Sequence, residues 1–315
     1  DVERAKETIL ATLAHAYNEP KENIALAPSG MNAIYAAIKG VQEVKKGRKT
    51  VIQLGWLYRD TMGIVKDHSF ACLITEVPTN PLIQCTNLPR LKALCDHYAI
   101  ALIIDSTIGC AYNIDLKPYA DIYVESLTKF ACGQADIMMG ALIINDKSPL
   151  ARNKMQFFMH RDTPCMLDMQ RLAVEIKGYK DRMDAINANT VKLVEYLKTK
   201  SFVKEIYHTL HPRNKHFYKE LMRNEEAVGG LISLTFTKDF ARVYDTLNFP
   251  KGPSLGTEFT LAMAYVHLAH YKMTQEEEGQ KLLEENRIPV DLLRISVGIE
   301  PIEAIMAEFE KLETL

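Results

Sequence analysis

The sequence predicts an α/β fold: a large domain on a mostly parallel, doubly wound sheet, followed by a smaller α+β C-terminal domain. Short apolar runs alternate with segments of helical period up to about residue 145, the pattern of strands joined by crossover helices. Beyond about residue 200 the strands are shorter and less regularly spaced. A chain of 315 residues also exceeds what one hydrophobic core commonly organises. The domains are accordingly placed at 1–195 and 196–315.

The elements follow in order. Val2, Ala5, Ile9, Leu13 and Ala16 recur at helical spacing over 1–18, and Asn18-Glu19-Pro20 ends that helix because a residue before proline leaves the helical region. Ile24–Ala27 reads as a strand, and Asn32–Val44 resumes the 3.6 period. Between them Pro28-Ser29-Gly30-Met31 presents free backbone N–H groups at a helix N-terminus, a place suited to a phosphate or simply to a turn. Val51–Leu54 and Ala71–Thr75 read as buried strands; the second leads into Pro78-Thr79-Asn80-Pro81, a rigid turn at a strand end. A helix over 88–98 precedes the strand Ala101–Ile104, which ends on Asp105. Further strands are expected at Asp121–Val124 and within Ile137–Asn145, with long helical periodicity from Met166 to about Lys200. In the second domain Ile206-Tyr207, Gly229–Phe236 and Leu293–Val297 read as strands, and Phe240–Leu247 and Pro301–Leu312 as helices. The basic, polar stretch 208–224 reads as a solvated loop and helix.

Composition narrows the function classes. With 38 basic and 40 acidic residues the net charge is −2, which gives no electrostatic reason to expect a nucleic-acid or membrane partner. No run approaches the roughly 18 apolar residues of a membrane span. The first residues, Asp1-Val2-Glu3-Arg4, lack the apolar core of a signal peptide, so a cytoplasmic location is expected. Six cysteines without a CxxC pair suit buried, reduced thiols, and the dispersed histidines give no metal spacing.

Lys129 in Val124-Glu125-Ser126-Leu127-Thr128-Lys129-Phe130 is the chemical point of the chain. Alone it reads as a surface lysine after a strand. Asp105 upstream, and Arg294 in the apolar strand Leu292–Val297, change its standing: an arginine there is costly to bury without partners. Tyr58 follows a strand end, where it can stack on an aromatic ligand or simply pack.

In that order the chain resembles the Cys/Met-metabolism family of pyridoxal phosphate (PLP) enzymes, of fold type I and cystathionine γ-synthase type. The resemblance rests on Ser29-Gly30-Met31, Tyr58 with Thr61, Pro78-Thr79-Asn80-Pro81, Asp105-Ser106-Thr107, Ser126-Leu127-Thr128-Lys129, Ser254-Leu255-Gly256 and Arg294-Ile295-Ser296-Val297-Gly298-Ile299-Glu300. The segment Ser254–Thr260 is similar to that of the fungal synthases. The resemblance implies PLP as cofactor, with Lys129 as its Schiff-base lysine and proton carrier and Asp105 as partner of the ring nitrogen, its own pKa lowered by that cation. It assigns Asn80 to the ring oxygen, and Tyr58 to stacking and as a base on the incoming amine. Gly30, Met31, Ser126 and Thr128 fall to the phosphate, with Thr107 also beside the cofactor, and Arg294 with Ser254 to the substrate. It implies γ-replacement on an activated homoserine ester. Alternatives are a γ- or β-lyase of sulfur amino acids, a specialised-metabolism relative, an aminotransferase, or a non-catalytic PLP-binding partner subunit. The implied assembly is a homodimer or homotetramer with sites at the subunit interface. Ser106 stands where the family has asparagine, and Arg59 and Asp60 where it has glycines.

Overall fold

The computed structural model describes residues 1–48, 51–56 and 72–315. Its first sheet contains β1 (Ile24–Ala27), β2 (Val51–Gln53), β3 (Cys72–Glu76), β4 (Ala101–Asp105), β5 (Ile122–Ser126) and β6 (Gly140–Ile144), in the spatial order β1-β6-β5-β4-β3-β2. Strands β2 to β5 run parallel, and β1 and β6 pair antiparallel at the other side. The sheet is therefore mostly parallel with an antiparallel margin. Its inner strands are buried on both faces, which explains their near-continuous apolar runs. β2 differs from its expectation as a buried strand: it lies at the edge, and Ile52 is 42% exposed.

Each face has its own core. Helix α1 (Val2–Tyr17) and the helix Met166–Glu175 cover one, through Ile9, Leu13, Met169 and Leu172. Helix α2 (Gly30–Val44) and the short helix Lys154–Phe158 cover the other, where Ile34, Ile38 and Phe157 pack on Ile103 and Val124. Asn18 ends α1 in the left-handed region, one residue before the position that proline restricts.

The second sheet contains β7 (Val203–Tyr207), β8 (Leu231–Phe236), β9 (Leu261–Ala264) and β10 (Leu293–Ser296), in the order β7-β8-β10-β9, all antiparallel. β9 and the helices Tyr265–Ala269 and Glu277–Glu285 carry no counterpart in the sequence reading. The long helical stretch is divided by a 3-10 turn at Ile176–Gly178, and its second part, Tyr179–Lys198, joins the two sheets. Tyr179, Met183 and Ile186 belong to the core under α1, and Leu193, Val194 and Leu197 to a third core, on the second sheet with Ile232 and Ile295. The expected 195/196 boundary falls inside this helix. The stretch 208–224 is not simply solvated: Tyr218 and Leu221 return to the first core because their apolar bulk fills the space beside Cys110 and Ile114.

The cysteines are free, five buried and Cys165 exposed. Among the described residues no helix is long and apolar enough to cross a membrane.

Candidate active site

A cleft of about 490 Å³ lies between the strand ends of the first sheet and one wall of the second, a size that holds a cofactor and a small substrate. It brings together Gly30, Met31, Asn80, Asp105, Thr107, Ser126, Thr128, Lys129, Ser254 and Arg294, every described residue singled out from the sequence. Tyr58 lies outside the described residues.

The floor comes from the first sheet. Ser29 caps α2, its Oγ accepting from the Asn32 amide at 3.1 Å, so the first-turn amides of Gly30 and Met31 stand at the cleft. Gly30 needs to be glycine: a Cβ would come within 2.9 Å of Ser126 Cβ. That close approach joins the helix N-terminus to the end of β5 and its hydroxyl groups. Thr107 ties β4 to β5, its Oγ accepting from the Ser126 amide at 2.9 Å while its own amide donates to Asp105 at 3.0 Å. Thr128 is held to Met139 through backbone and side chain.

Burial pushes the Asp105 carboxyl up, while the hydroxyl and amide of Thr107 pull it down. The lowered value expected from sequence presupposes a cation at the carboxylate, so desolvation dominates for the protein groups alone.

Lys129 sits in a tight turn after β5: its amide donates to Ser126, and its carbonyl accepts from Cys132 and Gly133. Burial, then the charge of Arg294, lowers its ammonium to about 8, so a sizeable fraction is the neutral, nucleophilic amine near neutral pH. Gly256 presses on this turn with φ +77; a Cβ there would meet the Phe130 amide at 2.5 Å. The Ser254-Leu255-Gly256 motif thus docks against the lysine, and Nζ of Lys129 donates to Ser254 Oγ at 3.0 Å.

Arg294 is no edge residue. β10 lies between β8 and β9, and Arg294 is 3% exposed. Its guanidinium donates to the carbonyls of Pro253 and Ser254 at 2.9 and 2.7 Å, and to Asn80 Oδ1 at 3.4 Å. One end of the fork is thereby fixed against the turn that also holds Lys129. The Asn80 turn is clamped in turn, with Glu76 accepting its amide at 3.2 Å and Ser233 of β8 donating to the Pro81 carbonyl at 2.7 Å.

Sequence reasoning missed several groups here. Tyr265, Leu268 and His270 form the outer wall of the cleft. Tyr265 lies beside the Arg294 guanidinium, 5.7 Å from its ring centre, and 3.4 Å from His270 Nε2. Trp56, edge-on to His270 at 5.2 Å, backs that wall. Glu76 also lines the cleft. Buried Arg182 braces the lysine turn from behind, donating to the carbonyls of Phe130 and Ala131 at 3.1 and 3.3 Å and to Glu258 at 3.0 Å. Of these, only the carboxyl of Glu76 beside the Pro-Thr-Asn-Pro turn left a signal in the sequence; the rest lie on elements whose packing decides their direction.

The donor set fits PLP: amides and hydroxyls for a phosphate, a carboxyl at a strand end for the ring nitrogen, and a buried amine of lowered pKa for the aldehyde. Comparison with known proteins agrees. The sequence model of the Cys/Met metabolism PLP-dependent enzymes matches residues 64–312. An L-2-amino-4-chloropent-4-enoate dechlorinase/desaturase of Streptantibioticus cattleyicolor is 34% identical over 98% of this chain and 68% of its own length. The cystathionine γ-synthase of Neurospora crassa is 30% identical over 93% of this chain, which spans 52% of that relative. Among solved structures, a cystathionine γ-lyase of Lactobacillus plantarum superposes with a TM-score of 0.83 at 20% identity, covering 98% of this chain and 85% of the other.

Proposed function

This chain belongs to the Cys/Met metabolism family of PLP-dependent enzymes, and we propose that it replaces the γ-substituent of an activated homoserine ester. The observation that carries this reading is the convergence of Lys129, Asp105 and Arg294 on one cleft, with Ser254 bridging the amine and the guanidinium. PLP, when bound, supplies an electrophilic carbon and an electron-accepting ring. Gly30, Met31, Ser126 and Thr128 would hold its phosphate, with Thr107 ordering Ser126 and Asp105 behind them. Asp105 would keep the ring nitrogen protonated, and Asn80 would meet the ring oxygen. Arg294 would grip the α-carboxylate as a fork, fixing the Cα–H bond within reach of Lys129. Lys129 would then take the proton from Cα and return one further along the chain, with Ser254 holding its Nζ between transfers. Tyr58 is assigned the stacking and base roles on the strength of the resemblance.

A second reading, γ-elimination on a small amino acid, has its own support. The Streptantibioticus cattleyicolor relative named above is a dechlorinase/desaturase, and Ile34, Ile108, Met138, Leu255, Met263 and Leu268 give much of the cleft an apolar lining. Such a lining suits a small, uncharged γ-substituent better than a bulky polar ester. Incubating the PLP-loaded protein with O-acyl-L-homoserines and with a γ-chloro amino acid, each with and without cysteine, tests both. A cysteine-dependent thioether product supports replacement. A keto acid or unsaturated product formed equally without cysteine overturns it in favour of elimination.

A further inference from the structure

Glu125 lies on the face of the sheet opposite the cleft, and the proposed chemistry makes no use of it. Alternation along β5 sends it away from the side shared by Val124 and Ser126. It is 1% exposed, where a carboxyl without partners is strongly disfavoured. Two helices supply the partners: Tyr179 donates to one oxygen at 2.5 Å, and Tyr17 of α1 donates to the other. The Tyr17 hydroxyl also meets Ser106 Oγ at 2.7 Å, and Ser106 bonds the Val124 carbonyl through its amide at 3.0 Å and its hydroxyl at 3.2 Å.

Ser106 directly follows Asp105, and Glu125 directly precedes Ser126. One hydrogen-bonded cluster therefore holds the chain neighbours of two cleft residues. Asp105 pairs with Val124 in the parallel ladder, and neighbouring strands are about 4.8 Å apart, so the two carboxyls leave adjacent strands on opposite faces, with only the sheet between them. Glu125 in turn acts on Cys110 and Tyr112. Burial pushes both up to about 12, and it raises Tyr17 and Tyr179 well above the ordinary tyrosine value. All four are neutral near pH 7, which leaves the carboxyls of Glu125 and Asp105 as the acidic groups of this cluster. Burial raises Glu125 to about 7; the two tyrosine hydrogen bonds lower it and the charge of Asp105 raises it.

We propose that Glu125, clamped by Tyr17 and Tyr179, is a positioning residue for Asp105: its ionisation sets a second negative charge behind the carboxyl that faces the cofactor ring, and so governs how firmly the ring nitrogen keeps its proton. This rests on the PLP reading of the cleft. The alternative is a purely structural tie of α1 and the helix Tyr179–Lys198 to β5.

The test follows PLP affinity across the neutral pH range, together with ring-nitrogen protonation by NMR of labelled PLP, in the wild type and in Glu125→Gln. The expected result is that the wild type binds PLP more tightly, and holds the ring proton more firmly, as pH rises through about 7, where Glu125 ionises. In Glu125→Gln that inflection is lost, and the change belonging to Lys129, near 8, remains. If Glu125→Gln keeps the inflection and only melts at lower temperature, the role is structural and the proposal falls. Where that variant does not fold, Tyr179→Phe decides. It keeps the carboxyl but removes a bond that lowers its pKa, so the inflection must move to higher pH, and an unmoved inflection overturns the proposal. A wild type that takes up no PLP overturns the functional reading itself, an outcome distinct from bound PLP with an unaltered pH response.

Discussion

The two sides of the cleft are built on different terms. The floor takes its polar groups from strand ends and the turns just after them, Asp105, Ser126 and Lys129, each held by bonds within a few residues or to the next strand. The wall takes Arg294 from the middle of a central strand and steadies it with carbonyls some 40 positions away, those of Pro253 and Ser254. Open α/β sheets leave their strand ends free for ligands, so the floor needs local fitting only, such as the close approach of Gly30 to Ser126. The wall needs a buried cation, and only a neighbouring turn already bent to offer its carbonyls makes that tolerable. On the proposed reading the floor meets the cofactor and the wall meets the amino acid. Four measurements can sharpen or break this contrast.

Removing the floor's amine has the largest expected effect. Lys129→Ala loses the visible absorbance of lysine-bound PLP and drops turnover by roughly 10²- to 10⁴-fold, the range for a lost proton carrier. An unchanged spectrum would mean that another amine holds the cofactor. On the wall, Arg294→Ala is expected to cost about 2–5 kcal/mol of substrate binding, read as a raised KM with the cofactor still bound. If PLP is lost instead, the division between floor and wall is wrong.

The third measurement is a pH profile. Lys129 must be neutral to attack an aldehyde, and its pKa is lowered to about 8. The rate of PLP uptake by the apoprotein therefore rises by about tenfold between one pH unit below that value and one above. A flat profile would show that the amine is already neutral throughout. For stability the sign follows from the same shift. A lysine whose folded pKa lies below its unfolded value of 10.5 disfavours folding at low pH, and this destabilisation fades as pH rises from about 8 through 10.5. The smallest effect is expected at the seam. Ser254→Ala removes one hydrogen bond to Lys129 and should slow turnover by about fivefold, in keeping with ~1 kcal/mol for such a bond. A loss as large as that of Arg294→Ala would mean that Ser254 touches the substrate directly.

Legibility in the sequence followed the same divide. The strand ends were readable because an apolar run closing on Asp105, or on Ser126-Leu127-Thr128-Lys129, changes character at the point where the chain leaves the sheet. Arg294 stood out because its neighbours are apolar. β9 and the helix Tyr265–Ala269 were not readable. Leu261–Ala264 is four residues long, and its continuation into Tyr265 and Val266 shows no period that separates strand from helix. Met169 and Leu172 fit the expected helical face, whereas Tyr218 and Leu221 sit in a polar stretch and enter the core only because the chain folds back to them.

The sequence by itself determined the alternation of elements, the order of the motifs and the polar groups that close the strands of the first sheet, because each of these depends on neighbours close in the chain. Tertiary structure alone decided that Ser254 lies 3.0 Å from Lys129, that Arg294 is buried among carbonyls, and that Tyr17 and Tyr179 close on Glu125 from two helices. Those contacts join residues from 40 to 125 positions apart. No local periodicity encodes such distances, which arise only when the packed faces of helix and sheet bring the two stretches together.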